Sequence, residues 1–369
     1  MIEELRVPVS FVVPDGIDDP DRVSGGNVYD QHIRDELRMS GWDVQLIKVA
    51  GCDEPQLSQA LSRLPDQALV LIDGLVAVCE PDALVDHSRR LRIIVLAHMV
   101  ASLLRDPTDG ADTATRFADR GTDIRDDHES RALHAARRVI ATSNWTRSEL
   151  ITRNLAEAQR IVVAQPGTDP APARAPSSSG NRLLCVGVVA PHKGQDVLLQ
   201  ALARLTDVER WVCTIVGSRS SAPAYFAELM SMAESAGIAD RVAFTGALTG
   251  ARLADAYSRA DLVVVPSRSE SYGMVVAEAL ARGIPVVATN IGGIPEAISR
   301  SAAGIVVPPE DPWALEVVLR QWWTSAARRA ALNDEALRAR EASKSWNAVA
   351  AVVASKLDEV AREGSELPA

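Results

Sequence analysis

The chain has little that would tie it to a membrane, to nucleic acid or to a structural metal. Its 369 residues are 47% hydrophobic and 24% charged. Even so, no run approaches the roughly 18 uninterrupted apolar residues that a spanning helix requires. The N-terminal stretch MIEELRVPVSFVVP begins with two acidic residues and a short apolar run. A secretory leader has basic residues and a longer apolar core there, so a cytoplasmic location is expected. Lysine is scarce, four residues against 35 arginines, and the net charge is −10. Residues 1–169 hold 19 basic and 28 acidic side chains, so nearly all the excess lies in the first half. Bulk attraction to a polyphosphate backbone or an anionic bilayer is thereby disfavoured, although a local patch such as Arg89, Arg90 and Arg92 could still touch a headgroup. Cysteines are few and far apart: Cys52, Cys79, Cys185 and Cys213 form no CxxC pair and read as buried small hydrophobes.

The length exceeds one ordinary core and fits two domains. Apolar runs of strand length alternate with segments of helical period, the pattern of parallel sheets covered by helices. In the first half the strands are predicted near Val7–Val13, Val44–Val49, Leu69–Ile72, Ile93–Ala97, Val139–Thr142 and Ile161–Ala164. In the second they fall near Leu183–Gly187, Trp211–Gly217, Val242–Phe244, Leu262–Val265, Pro285–Ala288 and Gly304–Val307. Each half is therefore a doubly wound α/β unit. Residues 1–169 and 170–344 are the expected domains, with a linker at Thr168–Gly180, rich in Pro, Ala and Ser. A last amphipathic helix, about 345–369, has no strand left to cover in the second domain and is expected to return to the first.

The most informative stretch runs from Pro266 to Glu296. The strand DLVVVP ends in a polar loop, Gly273 opens the helix MVVAEALAR, and the helix stops at Gly283 before the strand IPVVAT. In an open parallel sheet ligands lie at the carboxyl ends of the strands, and a helix N-terminus favours phosphate through unpaired amides and its dipole. Glu270 in the loop and Glu278 in the helix frame this turn as ESYGMVVAE. Upstream, LLCVGVVAPHKGQDVLLQAL places Lys193 and Gly194 after another strand.

This E-x7-E spacing, with the Lys-Gly turn and the later segments WVCTIVGS, VAFTGAL, GGIPE and GIVVPPEDP in the same order, resembles the retaining glycosyltransferases of family 4, glycosyl transferases group 1. The resemblance implies a GT-B fold: two Rossmann-like domains facing across a cleft, the first for the acceptor and the second for a nucleotide-sugar donor. It implies that Glu270 contacts the transferred sugar, Glu278 binds the ribose hydroxyls, and Lys193 holds the diphosphate. Ser271, Tyr272, Gly273, Met274 and Val275 would line the phosphate turn, and the base would lie against Ala243 and Phe244. Relatives also carry an arginine where this chain has Val188; His192 or Arg219 would have to compensate.

In the first domain the resemblance is confined to VSGGNVYDQHIRDEL and a single histidine. Gly25 and Gly26 match a glycine loop for the distal phosphate, preceding a helix expected at Asn27 or Val28. His98, after IIVLA, matches a histidine beside the donor sugar. Asp18, Asp19 and Asp21, and Asp126, Asp127, His128 and Glu129, lack recurring ligand spacing and read as solvated loop and helix-start residues, so no metal is expected.

The implied activity is transfer of a sugar, with retention and without metal or added cofactor, from a UDP, GDP or other nucleoside diphosphate sugar to an acceptor hydroxyl. A soluble small molecule is the expected acceptor. A nucleotide-sugar 2-epimerase of the same fold and a catalytically silent nucleotide-binding subunit remain alternatives. A dehydrogenase is disfavoured, since no GxGxxG follows a strand. The oligomeric state is open.

Overall fold

The computed structural model describes residues 7–19, 23–50, 56–103, 122–175, 177–208, 210–298 and 302–363. The chain divides into two compact units, residues 1–167 with 346–369, and residues 168–345. Each is built on one six-stranded parallel sheet.

The first sheet contains β1 (Val9–Pro14), β2 (Val44–Val49), β3 (Leu69–Asp73), β4 (Arg92–Ala97), β5 (Arg138–Ala141) and β6 (Ile161–Val163), in the order β2-β1-β3-β4-β5-β6. Strands β1, β3 and β4 are buried along their whole length, which is why they read as continuous apolar runs. Val12, Ile72, Val95 and Val139 form the centre of the core with Leu57, Leu61, Leu84 and Leu150 from the covering helices.

The C-terminal helix Trp346–Arg362 belongs to this unit. Trp346 stacks on His32 at 4.3 Å and meets the edge of Tyr29 at 5.5 Å. Arg92 donates to the Ala361 carbonyl, and Arg138 pairs with Glu359 at 2.7 Å. Arg90 donates to the carbonyls of Leu61 and Leu64. Arg90 and Arg92 are thus committed to internal acceptors, which corrects the reading of a lipid-facing basic patch.

The second sheet contains β7 (Arg182–Val186), β8 (Val212–Val216), β9 (Val242–Phe244), β10 (Leu262–Val265), β11 (Val286–Thr289) and β12 (Gly304–Val307), in the order β12-β11-β10-β7-β8-β9. Strand order reverses between β7 and β10, and at such a switch point a parallel sheet opens a crevice for ligands. One face of its core holds Trp211, Trp322, Leu198 and Leu319; the other holds Tyr257, Val276, Ile284 and Ile294.

Three expectations change. Thr168–Gly180 is not a free linker: Arg174 is buried, its amide donates to the Arg282 carbonyl at 2.8 Å, and its guanidinium reaches Asn333 and Asp261. The pairing of Arg174 with buried Asp261 compensates for the low apolar content that made the segment read as loose. Cys79 is disulfide-bonded rather than a reduced thiol; Cys185 and Cys213 are free and buried, and Cys52 lies outside the described residues. Glu129 is not solvated: it is buried and accepts from the amides of Ala101 and Ser102, both at 2.8 Å. Asp18 pairs with Arg34 and Lys48, while Asp21 lies outside the described residues.

Candidate functional site

The switch point of the second unit collects most of the residues singled out above. After β7 the chain passes Gly187 and forms a short turn, Pro191–Lys193, closed by Gly194 in the left-handed region at φ 65°. A Cβ on Gly194 would lie 2.1 Å from the Pro266 carbonyl oxygen, so only glycine lets this turn sit against the end of β10. The Lys193 side chain runs over Gly187, and its Nζ lies 2.8 Å from Oε2 of Glu270. Both side chains are about one-fifth exposed, which leaves the ammonium within reach of a ligand.

The loop after β10 is fixed from two sides. On one side Arg268 donates to the Pro191 carbonyl and makes two 2.7 Å bonds to the Asp196 carboxylate, while its amide donates to the His192 carbonyl. Asp196 also accepts from the Tyr225 hydroxyl at 2.7 Å. Burial alone would raise the Asp196 carboxyl, but the Arg268 and Tyr225 bonds hold it below the usual range. This charge-assisted bidentate pair couples the Lys193 turn to the Glu270 loop. On the other side Gly292 and Gly293 press against the loop. A Cβ on Gly292 would fall 1.7 Å from the Glu270 carbonyl oxygen, and one on Gly293 would fall 2.3 Å from that of Ser271.

Gly273, at φ 94°, is the N-cap of the helix Met274–Ala281, and no side chain caps it. Glycine is required because an L side chain is strained there. The first-turn amides, those of Met274 and Val275, have no acceptor within the helix and form with its dipole a concentrated positive end. Ser271 and Tyr272 lead into this turn, Tyr272 buried and Ser271 half-buried. In the second turn of the helix Glu278 accepts from the Tyr257 hydroxyl at 2.7 Å. Burial pushes the Glu278 carboxyl upward, against the bond from Tyr257 and the charge of Arg282.

Phe244 closes β9 and meets Phe226 edge-on at 5.3 Å. Arg219 lies over Phe226 and beside Gly246, at the end of β8 and β9. Val188 has no cation in its place, and its carbonyl accepts from the Gln195 side chain. Of the two compensating residues named above, Arg219 stands on the Phe244 side of the strand ends. The backbone carbonyl of His192 anchors Arg268.

In the first unit the helix Gly25–Met39 starts at Gly25 rather than at Asn27 or Val28, with Ser24 capping the Asn27 amide. The start is two or three residues early because an N-cap serine outweighs the low helix propensity of two glycines. His98 follows β4, and a Cβ on Gly26 would lie 3.3 Å from its Cδ2, so glycine loop and imidazole are packed together. Its Nε2 lies 2.9 Å from Oδ1 of Asp30 and 3.2 Å from Oδ2 of Asp73. Sequence reasoning missed both aspartates. The available signals were an acid ending the apolar strand LVLID, and an acid on the buried face of a helix, one turn before Ile33.

Among the described residues, Asp30, Asp73 and His98 form the one group whose ligand-type atoms approach within 4.8 Å of one another. The N···O distances of 2.9 and 3.2 Å are those of close ion pairs. No described helix is long and apolar enough to cross a membrane.

Residues 172–339 match the family model of glycosyl transferases group 1. A D-inositol 3-phosphate glycosyltransferase of Kineococcus radiotolerans is 34% identical over 248 residues, 60% of this chain and 57% of that protein. One from Xylanimonas cellulosilytica is 34% identical over 260 residues, 65% of this chain and 60% of the relative. The aligned region therefore spans about three fifths of these curated relatives. Among solved structures, sucrose-phosphate synthase from Thermosynechococcus elongatus aligns over 97% of this chain and all of its own, with a TM-score of 0.79 at 20% identity. Anabaena HepE, solved in complex with UDP and glucose, aligns over 96% of this chain and all of its own at TM-score 0.73 and 18% identity. These whole-chain likenesses establish the GT-B fold. Residues 172–339, most of the second unit, are therefore similar to the glycosyl transferases group 1 family, on a chain whose fold is GT-B.

Proposed function

We propose that the protein is a retaining glycosyltransferase that moves a sugar from a nucleoside diphosphate sugar to an acceptor hydroxyl without a metal ion. The observation that carries this reading is the convergence at the β7/β10 switch point. There the Lys193 ammonium, the Glu270 carboxylate and the uncapped N-terminus at Gly273 come together on a backbone that glycine alone permits.

Each residue then has a role that its chemistry fits. Lys193 and the amides of Gly273, Met274 and Val275 neutralise charge on the departing diphosphate, which replaces a divalent cation. The Gly25–Gly26 loop serves the distal phosphate, and His98 the transferred sugar. Glu270 orients the sugar hydroxyls. Glu278, raised toward its protonated form and braced by Tyr257, takes the ribose hydroxyls. The base lies against Phe244 and Ala243.

In the step itself the bond from the anomeric carbon to the diphosphate oxygen breaks, and its electron pair leaves with the diphosphate. The acceptor oxygen bonds to the same face of that carbon, and its proton passes to a diphosphate oxygen. No carboxylate adduct is formed, so Glu270 positions rather than attacks.

The acceptor is a soluble hydroxylated small molecule in the cytoplasm. D-inositol 3-phosphate, for which the relatives are named, is the first to try. A thermal-shift panel of UDP, GDP, ADP and dTDP with their common sugars, in EDTA and then with magnesium, tests the donor site. Stabilisation by one diphosphate in EDTA is expected. Stabilisation by none, or only with magnesium, would overturn the metal-free reading.

A further inference from the structure

We infer that Asp30 and Asp73 are positioning residues that hold His98 as an imidazolium with Nε2–H committed to the protein, so that Nδ1–H is the donor the ring offers to substrate. This rests on the proposed role of His98 in sugar transfer.

Asp30 is fully buried, and neither of its oxygens has a well-aligned hydrogen-bond donor; its compensation is the His98 ring at 2.9 Å. Asp73 is 3% exposed and uses Oδ1 to cap its helix through the Val76 amide at 3.0 Å, which leaves Oδ2 for His98 at 3.2 Å. One ring nitrogen thus stands between carboxylates brought from a helix and from a strand end. A buried carboxylate without a positive partner is expensive, and the nearest positive charge that this cluster can make is the imidazolium.

Tyr29 presents its ring edge to the imidazole at 5.2 Å and donates its hydroxyl away, to the Ala164 carbonyl. Glu129 lines the same small cavity as His98 and is already bonded to two amides. The His98 carbonyl accepts from Thr142 at 2.9 Å, and Gly26 lies on the ring, so backbone and ring are both fixed. Titration agrees with geometry. Burial opposes the charged ring, but Asp30 and then Asp73 outweigh it and push His98 up to about 10. Burial pushes Asp30 up to about 6, against the pull of His98.

A cation fixed in this way suits the reaction better than a neutral ring. It meets the sugar or the leaving oxygens with a full charge at neutral pH, and it requires no reorganisation as charge develops. With Nε2 engaged, the ring cannot act as a general base in the pH range where the enzyme works.

The test is nitrogen-15 and carbon-13 NMR of histidine-labelled protein, in which His98 is identified among the six histidines by its absence in His98→Gln. The expected result is a ring protonated at both nitrogens from pH 6 to at least pH 8.5. A neutral His98 at pH 7.5, or stoichiometric divalent metal retained through purification, would overturn the proposal. Activity supplies a second, independent arm. Asp30→Asn and Asp73→Asn should each give kcat a falling limb near pH 6.5, about thirtyfold lower at pH 8 than the wild type, with donor KM little changed. A merely structural defect would instead lower kcat uniformly across pH, and that result would also overturn it. If the wild-type protein transfers no sugar at all, the functional reading fails while the NMR arm still decides the state of His98.

Discussion

The Lys193 ammonium and the Glu270 carboxylate, 77 residues apart in the chain, meet at 2.8 Å where the strand order of the second sheet reverses. Each belongs to a loop that follows one of the two central strands, and the Arg268–Asp196 pair ties those loops together. The pair is a resting contact. In the proposed reading, a diphosphate arriving beside Lys193 replaces one carboxylate with two phosphates and frees Glu270 for the sugar.

Replacing Lys193 with alanine removes the side-chain cation from the leaving group and strands Glu270 without a partner. Turnover should fall about a hundredfold, with a smaller rise in donor KM, because the lost interaction is strongest in the transition state. Steady-state kinetics over donor concentration separates the two effects. An unchanged kcat would remove Lys193 from the chemistry.

Glu278→Gln should act differently. The residue sits on the helix behind the phosphate turn, braced by Tyr257, and its proposed contact with ribose is equal in ground and transition states. Donor KM should rise about tenfold while kcat stays within a factor of two or three. Tyr257→Phe, which removes the 2.7 Å brace but keeps the ring, should give a weaker version of the same phenotype. A loss confined to kcat in either variant would contradict the assignment.

Gly292 holds the Glu270 loop from behind at φ 54°, and any Cβ there meets the Glu270 carbonyl oxygen. Gly292→Ala must therefore move the loop. The expected cost is about 1–3 kcal/mol of stability and a drop in kcat comparable to that of Glu270→Gln. Denaturant unfolding and kinetics on the same preparation check both. Wild-type turnover in a folded Gly292→Ala protein would show that the loop's position is not critical.

The two-unit architecture was legible from the apolar runs alone. Every described strand overlaps one predicted run, and the central strands β1, β3 and β4, buried on both faces, are apolar along almost their whole length. The turns at Gly194 and Gly273 were legible as glycine positions, since backbone geometry imposes glycine at both. Contacts between residues distant in sequence were not. Nothing in DPAPARAPSSSG shows that Arg174 will find Asp261, or in LVLID that Asp73 will share His98 with Asp30. Charged residues in apolar surroundings read as solvated until the partner that compensates them is placed.

Asp261 gives the clearest dependence of stability on pH. Buried at 1% exposure, it accepts from Ser177, Arg182 and their amides and pairs with buried Arg174. Burial would raise its carboxyl, but the bonds from Arg182 and Ser177 hold it below 3.8. A depressed carboxyl contributes stability that is present above its unfolded value and lost as pH falls through the folded value. Asp261→Asn should therefore cost about 3–5 kcal/mol at pH 7. The gap to the wild type should narrow below about pH 4. A gap constant from pH 7 to pH 3 would show that charge is not what holds the segment.

The most direct test of the account is the anomeric configuration of the product. With an α-linked donor chosen by the thermal-shift panel, and an acceptor starting with D-inositol 3-phosphate, proton NMR in EDTA should show an α-glycoside forming in step with free nucleoside diphosphate. A β-linked product, or transfer that appears only when magnesium is restored, would contradict a retaining, metal-free transferase.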